Sequence, residues 1–137
     1  MTGLVVDASV TAAWCFEDEQ TMYARRRLRR SKDFVFFAPA IWPLEMANVL
    51  LVNERRKRIT LAETARFVSL LNELAIQVDQ PPGMRPFEAT LLLARAHGLS
   101  VYDASYLELA LRKGAPLATL DSKLRAAAKA AGVRFHE

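Results

Sequence analysis

Gly3-Leu4-Val5-Val6-Asp7-Ala8-Ser9 is the stretch that decides the fold. Leu4-Val5-Val6 is a short, continuous apolar run with β-branched character, the pattern of a strand buried on both faces in the middle of a parallel sheet. A carboxylate ends it at Asp7, and a hydroxyl follows at Ser9. Beyond Ser9 the pattern turns helical, with Val10, Ala12, Ala13, Trp14 and Phe16 able to line one broad apolar face. Asp7 therefore stands where a central strand hands over to a helix. In open α/β sheets that carboxyl edge is where ligands bind.

The size of the chain supports this reading. Its 137 residues make one domain, 1–137, large enough to bury a core, and 52% apolar with 25% charged residues is a globular balance. No apolar run approaches the ~20 residues that span a bilayer. The sequence passes from Met1-Thr2-Gly3 straight into the first strand, so no leader and a cytoplasmic location are expected. The lone Cys15 cannot pair within the chain and lies in an apolar helical pattern, which suits a buried thiol in a reducing compartment. The net charge of +4 is unevenly spread. Arg25, Arg26, Arg27, Arg29, Arg30 and Lys32 crowd one segment, and Arg55, Arg56, Lys57 and Arg58 another. Such clusters serve either a phosphate-bearing partner or solvated helix ends.

Working outward, a polar break at Glu17-Asp18-Glu19 precedes a helix expected from Glu19 to Arg30, acidic at its start and basic at its end. Phe34-Val35-Phe36-Phe37 reads as a second strand, stopped by Pro39. A helix from Trp42 to Arg56 is apolar nearly all round, so it should be buried or meet a partner. Thr60 and Glu63 form a capping-box pattern opening the next helix. Ile76-Gln77-Val78-Asp79 is a short third strand, and Pro81-Pro82-Gly83 a turn. A helix from Pro86 stops at Gly98, and another from Ala104 to Lys113 stops at Gly114. Ala115 to Leu120 is again a buried-type strand ending in a carboxylate, Asp121. A last helix, Ser122 to Ala131, precedes a possible edge strand at Val133-Arg134-Phe135. Strands alternating with helices give an α/β fold with a parallel sheet.

Four acids then stand out: Asp7 and Asp121 at the ends of buried-type strands, Glu45 in the most apolar helix, and Asp103 at a helix start. Taken singly, Asp7 and Asp121 could be N-caps, Asp103 part of a capping pattern begun by Ser100, and Glu45 a first-turn acid. Capping alone does not explain the whole set. Carboxylates gathered in one place repel unless a cation neutralises them. Mg²⁺ or Mn²⁺ suits hard oxygen ligands, keeps several waters and shares phosphate oxygens with a substrate. The sequence offers no Cys/His spacing for zinc. Asn48 shares a helix face with Glu45.

Val5-Val6-Asp7-Ala8-Ser9, Leu44-Glu45-Met46-Ala47-Asn48, Tyr102-Asp103-Ala104 and Ala118-Thr119-Leu120-Asp121, in that order, resemble the PIN-domain ribonucleases, and within them the VapC-type toxins of bacterial toxin–antitoxin pairs. The resemblance covers essentially the whole chain. It implies a PIN-like three-layer α/β/α fold with a central parallel sheet of about five strands. It implies that Asp7, Glu45, Asp103 and Asp121 form the catalytic pocket, with hydroxyls from Ser9 and Thr119. It also implies Mg²⁺- or Mn²⁺-dependent endonucleolytic cleavage of RNA, a cognate antitoxin and a homodimer. In the mechanism expected on both grounds, Asp7, Asp103 and Asp121 hold the metal and Glu45 completes the pocket. Ser9 and Thr119, with Asn48, orient carboxylates or waters, and Arg25, Arg26, Arg27, Arg29 and Arg30 grip the RNA backbone.

Other readings fit less well. A phospho-receiver domain needs paired acids near the first strand and a lysine after the last. A haloacid-dehalogenase-type phosphatase needs a second Asp where Ser9 stands. A non-catalytic interaction module built on the helix around Met46 to Leu51 leaves the four acids without a role. A PIN nuclease of RNA maturation, without an antitoxin, is the nearest alternative. His97 is expected as a partner of its helix C-terminus, His136 has no assigned role, and Trp14 and Trp42 are expected in core or interface.

Overall fold

The computed structural model describes residues 2–16, 22–81 and 83–136. The break at Glu17-Asp18-Glu19, the expected helix start at Glu19 and Pro82 of the expected turn lie outside the described residues. Four strands, β1 (Thr2–Val6), β2 (Phe34–Ala38), β3 (Gln77–Val78) and β4 (Leu117–Ala118), form one sheet in the order β3-β2-β1-β4. Every pairing is parallel. Seven α-helices connect them among the described residues: α1 (Ala8–Cys15), α2 (Met22–Arg29), α3 (Trp42–Arg55), α4 (Leu61–Glu73), α5 (Arg85–His97), α6 (Val101–Lys113) and α7 (Ser122–Ala130).

The opening stretch lies where its pattern requires. Successive strand residues point to opposite faces, yet Leu4, Val5 and Val6 all have 0% exposure. Both faces of β1 are therefore covered, giving the three-layer arrangement. Burying each such side chain contributes roughly 1.5–3 kcal/mol. Trp14 packs against Phe36 with ring centres 5.4 Å apart. Both tryptophans are buried, and each indole N–H is satisfied: Trp14 Nε1 donates to the Ala24 carbonyl at 2.8 Å and Trp42 Nε1 to Thr11 Oγ1 at 3.0 Å.

The helix starts are set by side chains. Asp7 caps α1, so that helix begins at Ala8, two residues before the apolar pattern does. Thr60 and Glu63 close the expected capping box on α4. The Ser100 hydroxyl accepts from the Asp103 amide, which starts α6 at Val101 and puts Asp103 inside its first turn. Gly98 and Gly114 stop α5 and α6 in the left-handed region, at φ 63° and 61°.

The sheet has four strands rather than about five, and β4 is shorter than its apolar run. Beyond Ala118 the chain leaves the ladder, and the Thr119 hydroxyl donates to Asp7 and accepts from the Asp121 amide. The Val133–Phe135 segment adds a single parallel bridge, Leu117 to Phe135, in place of an edge strand.

Two readings need correction where this segment meets α2. Arg27, expected among the RNA-gripping arginines, is only 2% exposed. Its guanidinium lies 3.7 Å from the Tyr23 ring centre and donates to the Tyr23 and His136 carbonyls at 3.3 and 2.7 Å. It also meets His136 Nδ1 at 3.0 Å. A guanidinium so engaged is not available to a phosphate. His136 in turn has a structural role. Its carbonyl accepts from Tyr23 and Arg27, and its amide donates to Leu117, which ties the C-terminal segment to both α2 and β4. Arg25, Arg26, Arg29 and Arg30 are exposed, and Arg30 pairs with Asp33 at 3.0 Å.

Candidate active site

Asp7 is the first residue after β1, and β1 pairs with β4 in the register Val6 to Ala118. The Asp7 amide donates to the Ala118 carbonyl at 3.3 Å. The two acid-terminated strands are thus neighbours, and Asp7 and Asp121 share the carboxyl edge of the sheet. That juxtaposition follows from strand order, which the sequence leaves open.

Asp7 is 5% exposed and heavily bonded. Its Oδ1 accepts from the Ser9 hydroxyl at 2.5 Å and from the Val10 amide at 3.1 Å, and its Oδ2 accepts from the Thr119 hydroxyl. Each hydroxyl accepts in its turn. Ser9 Oγ takes the Leu120 amide and Thr119 Oγ1 the Asp121 amide, both at 3.0 Å. Two backbone amides therefore fix both hydroxyl hydrogens on Asp7, and the turn carrying Asp121 is laced to the turn carrying Asp7. A carboxylate has about four lone-pair positions. Three of them are taken, by Ser9, Val10 and Thr119.

Burial dominates the electrostatics of Asp7. Desolvation, with a smaller contribution from the Asp103 charge, raises its carboxyl from 3.8 to about 6 against the lowering by Ser9, Thr119 and Val10. Burial also raises Glu45 and Asp103. Asp103 adds like charge to Glu45, and Asp121 adds it to Asp103. Asp103 is therefore the hub, in electrostatic contact with all three other acids. Repulsion of this kind is what a cation would relieve.

The capping readings are correct for two of the four acids without being sufficient. Asp121 Oδ1 accepts from the Lys123 and Leu124 amides at 2.8 and 3.3 Å. Asp7 caps α1 through Val10. A cap needs one oxygen and ordinarily sits in water, whereas Asp7 is buried with both oxygens bonded. On α6 the cap is Ser100, whose hydroxyl accepts from the Asp103 amide and also lowers the Asp103 carboxyl, so Asp103 belongs both to that capping pattern and to the acid cluster. Glu45, half-buried on α3, accepts from the Tyr106 hydroxyl at 2.5 Å. Asn48 is exposed one turn further along α3.

Among the described residues no three His, Cys, Asp or Glu side chains form a group tight enough to hold a metal ion by themselves. Mg²⁺ asks for less: one or two carboxylates, several waters and substrate phosphate oxygens. An all-oxygen donor set of mutually repelling carboxylates, open to solvent at Glu45, Asp103 and Asp121, fits that ion. Sequence reasoning missed two neighbours of the cluster. Tyr106, 1% exposed, reads as core from its spacing. Lys123, exposed beside Asp121, lowers the Asp103 carboxyl by its charge. Its position in the first turn of α7, two residues after Asp121, was the available signal.

Known proteins resemble this chain in sequence and in fold. Residues 4–130 match the family described as PIN domain. The chain is 31% identical over 121 residues to Ribonuclease VapC3 of Pyrobaculum aerophilum, which covers 88% of this chain and 91% of that one. The crystal structure of PAE2754 from Pyrobaculum aerophilum superposes with a TM-score of 0.70 at 23% identity, over 92% of this chain and 84% of that chain. FitAcB from Neisseria gonorrhoeae gives 0.62 at 19% identity, over 98% and 96%. These two likenesses are of fold alone. The match over residues 4–130, with the identity held across most of both chains, means that this chain belongs to the PIN-domain family.

Proposed function

We propose that this protein is a Mg²⁺- or Mn²⁺-dependent endoribonuclease, the toxin of a toxin–antitoxin pair, and that it works in the cytoplasm as a homodimer restrained by a cognate antitoxin. One observation carries the chemistry: a buried Asp7 at the carboxyl edge of the sheet, coupled through Asp103 to two further acids. The identity to a relative named a ribonuclease supports RNA as the substrate, and the likeness to FitAcB agrees with the fold. No helix among the described residues is long and apolar enough to cross a membrane.

Asp7, Asp103 and Asp121 would hold the ion, directly or through water, with Glu45 completing the pocket. Bound there, a divalent ion supplies an ionised water at neutral pH and offsets charge on the scissile phosphate. Ser9 and Thr119 keep Asp7 ionised and oriented by donating to it. Asn48 and Lys123 flank the entrance, where a lysine can meet a phosphate as a point charge. Arg25, Arg26, Arg29 and Arg30 would carry the RNA backbone. The exposed Leu44 and Leu51 on α3, at 68% and 41%, offer an apolar face to a protein partner.

The test is RNA incubated with purified protein in Mg²⁺ and in chelator, with cleaved ends mapped. Internal cleavage in Mg²⁺ only, lost in Asp103→Asn, is the expected result. Equal cleavage in chelator, or by the variant, would overturn the proposal.

A further inference from the structure

Tyr106 is the largest fully buried side chain among the described residues, at 1% exposure. A phenol at that depth needs a hydrogen-bond partner. Its hydroxyl donates to Glu45 Oε1 at 2.5 Å, and the Ala8 amide engages the same oxygen. With the amide as a donor, the phenol hydrogen is directed to Glu45. A single oxygen thus joins three elements: α1 at the residue after Asp7, α3 through Glu45, and α6 one turn beyond Asp103.

The partner is an unusual choice for a residue that only fills the core. A backbone carbonyl would satisfy a phenol at less cost than a half-buried carboxylate. Glu45 turns about three bonds, and the like charge of Asp103 repels its carboxylate. A short, charge-assisted O–H···O⁻ bond from a rigid ring opposes that repulsion. We infer that Tyr106 is a positioning residue: its hydroxyl holds the Glu45 carboxylate in the acid cluster, with Oε1 taken and Oε2 presented to whatever the cluster binds. The inference rests on the nuclease reading and adds a residue to it.

Tyr106→Phe removes one oxygen and keeps the ring. Three measurements follow on wild type, Tyr106→Phe, Glu45→Ala and the double variant: melting in chelator, Mn²⁺ binding by calorimetry, and RNA cleavage split into kcat and KM. In melting, the cost of Tyr106→Phe should disappear in the Glu45→Ala background, where the hydroxyl has no partner to lose. Tyr106→Phe should weaken Mn²⁺ binding and lower kcat, each by ~10-fold, as removal of a group that orients a ligand does, with KM for RNA unchanged. A core-filling role predicts additive melting shifts and wild-type Mn²⁺ affinity and kcat, and that result overturns the inference alone. A wild-type protein that neither binds Mn²⁺ nor cleaves RNA overturns the nuclease reading, and the positioning role with it.

Discussion

At the scale of single residues, the cost of burying Asp7 makes the metal-free protein sensitive to pH. Its folded carboxyl titrates at about 6 against 3.8 unfolded, so between those values the folded state binds more protons. This contribution to stability is complete below 3.8 and is lost as the pH rises through about 6. Two pKa units correspond to about 3 kcal/mol, an upper figure for the penalty at neutral pH. In chelator, Asp7→Asn should therefore melt at or above wild type at about pH 7, and the gap should close toward about pH 4. Thr119→Val strips a donor from Asp7 and an acceptor from the Asp121 amide, and should cost about 1–3 kcal/mol by denaturant melting. Asp7, Glu45 and Asp121 were legible in the sequence because each ends or interrupts an apolar run, and Asp103 because it opens a helix. Tyr106 was not, because its hydroxyl matters only through Glu45, 61 residues away in the chain. Arg27 was misread for a related reason. An arginine run looks solvated until the fold shows which member Tyr23 and His136 draw inward.

At the scale of elements, α2 is held by the C-terminal segment. Tyr23 stacks on Phe135 at 5.2 Å, and Arg27 bonds to His136. Arg27 can only donate, so His136 Nδ1 must accept, which requires a neutral ring. Burial, then the charges of Arg27, Arg30 and Arg134, hold His136 below its ordinary 6.5. A lowered folded value means that this stability is present above 6.5 and is lost as the pH falls below it. Wild type should lose more melting temperature than His136→Phe when acidified from about pH 7.5 to about pH 5.5. Equal losses would remove the ring from the clasp. The exposed side of the same helix carries the phosphate-binding expectation. Replacing Arg26, Arg29 and Arg30 with Gln should reduce the log–log salt slope of RNA binding by up to ~0.7 per lost contact. An unchanged slope would assign these residues to solvated surface. Element boundaries were read to within a few residues wherever a cap or a glycine stop was present. The exceptions are β4 and the Val133–Phe135 segment. After β4 the Thr119 hydroxyl bonds to Asp7, 112 residues away in sequence, and the Val133–Phe135 segment meets β4 only through the Leu117 bridge.

At the scale of the whole molecule, the parallel sheet brings acids from four distant segments to one edge, at the expense of mutual repulsion. The α/β class and the four acids were readable from alternation and interruption, but the adjacency of β1 and β4 was not. A divalent ion that binds this edge in the folded chain, and hardly at all in the unfolded one, must stabilise the protein by linkage. At a Kd of ~1 mM, ~10 mM Mg²⁺ adds about 1.4 kcal/mol. For a domain of this size that is a melting shift of roughly 4–6 °C. The decisive measurement is thermal melting of wild type, Asp7→Asn and Asp121→Asn in chelator and in Mg²⁺. Mg²⁺ should raise the melting temperature of wild type, both variants should lose most of that rise, and neither should be less stable than wild type in chelator. A wild type without the rise, or variants that keep it in full, would mean that these carboxylates are helix caps and that the acid cluster holds no metal.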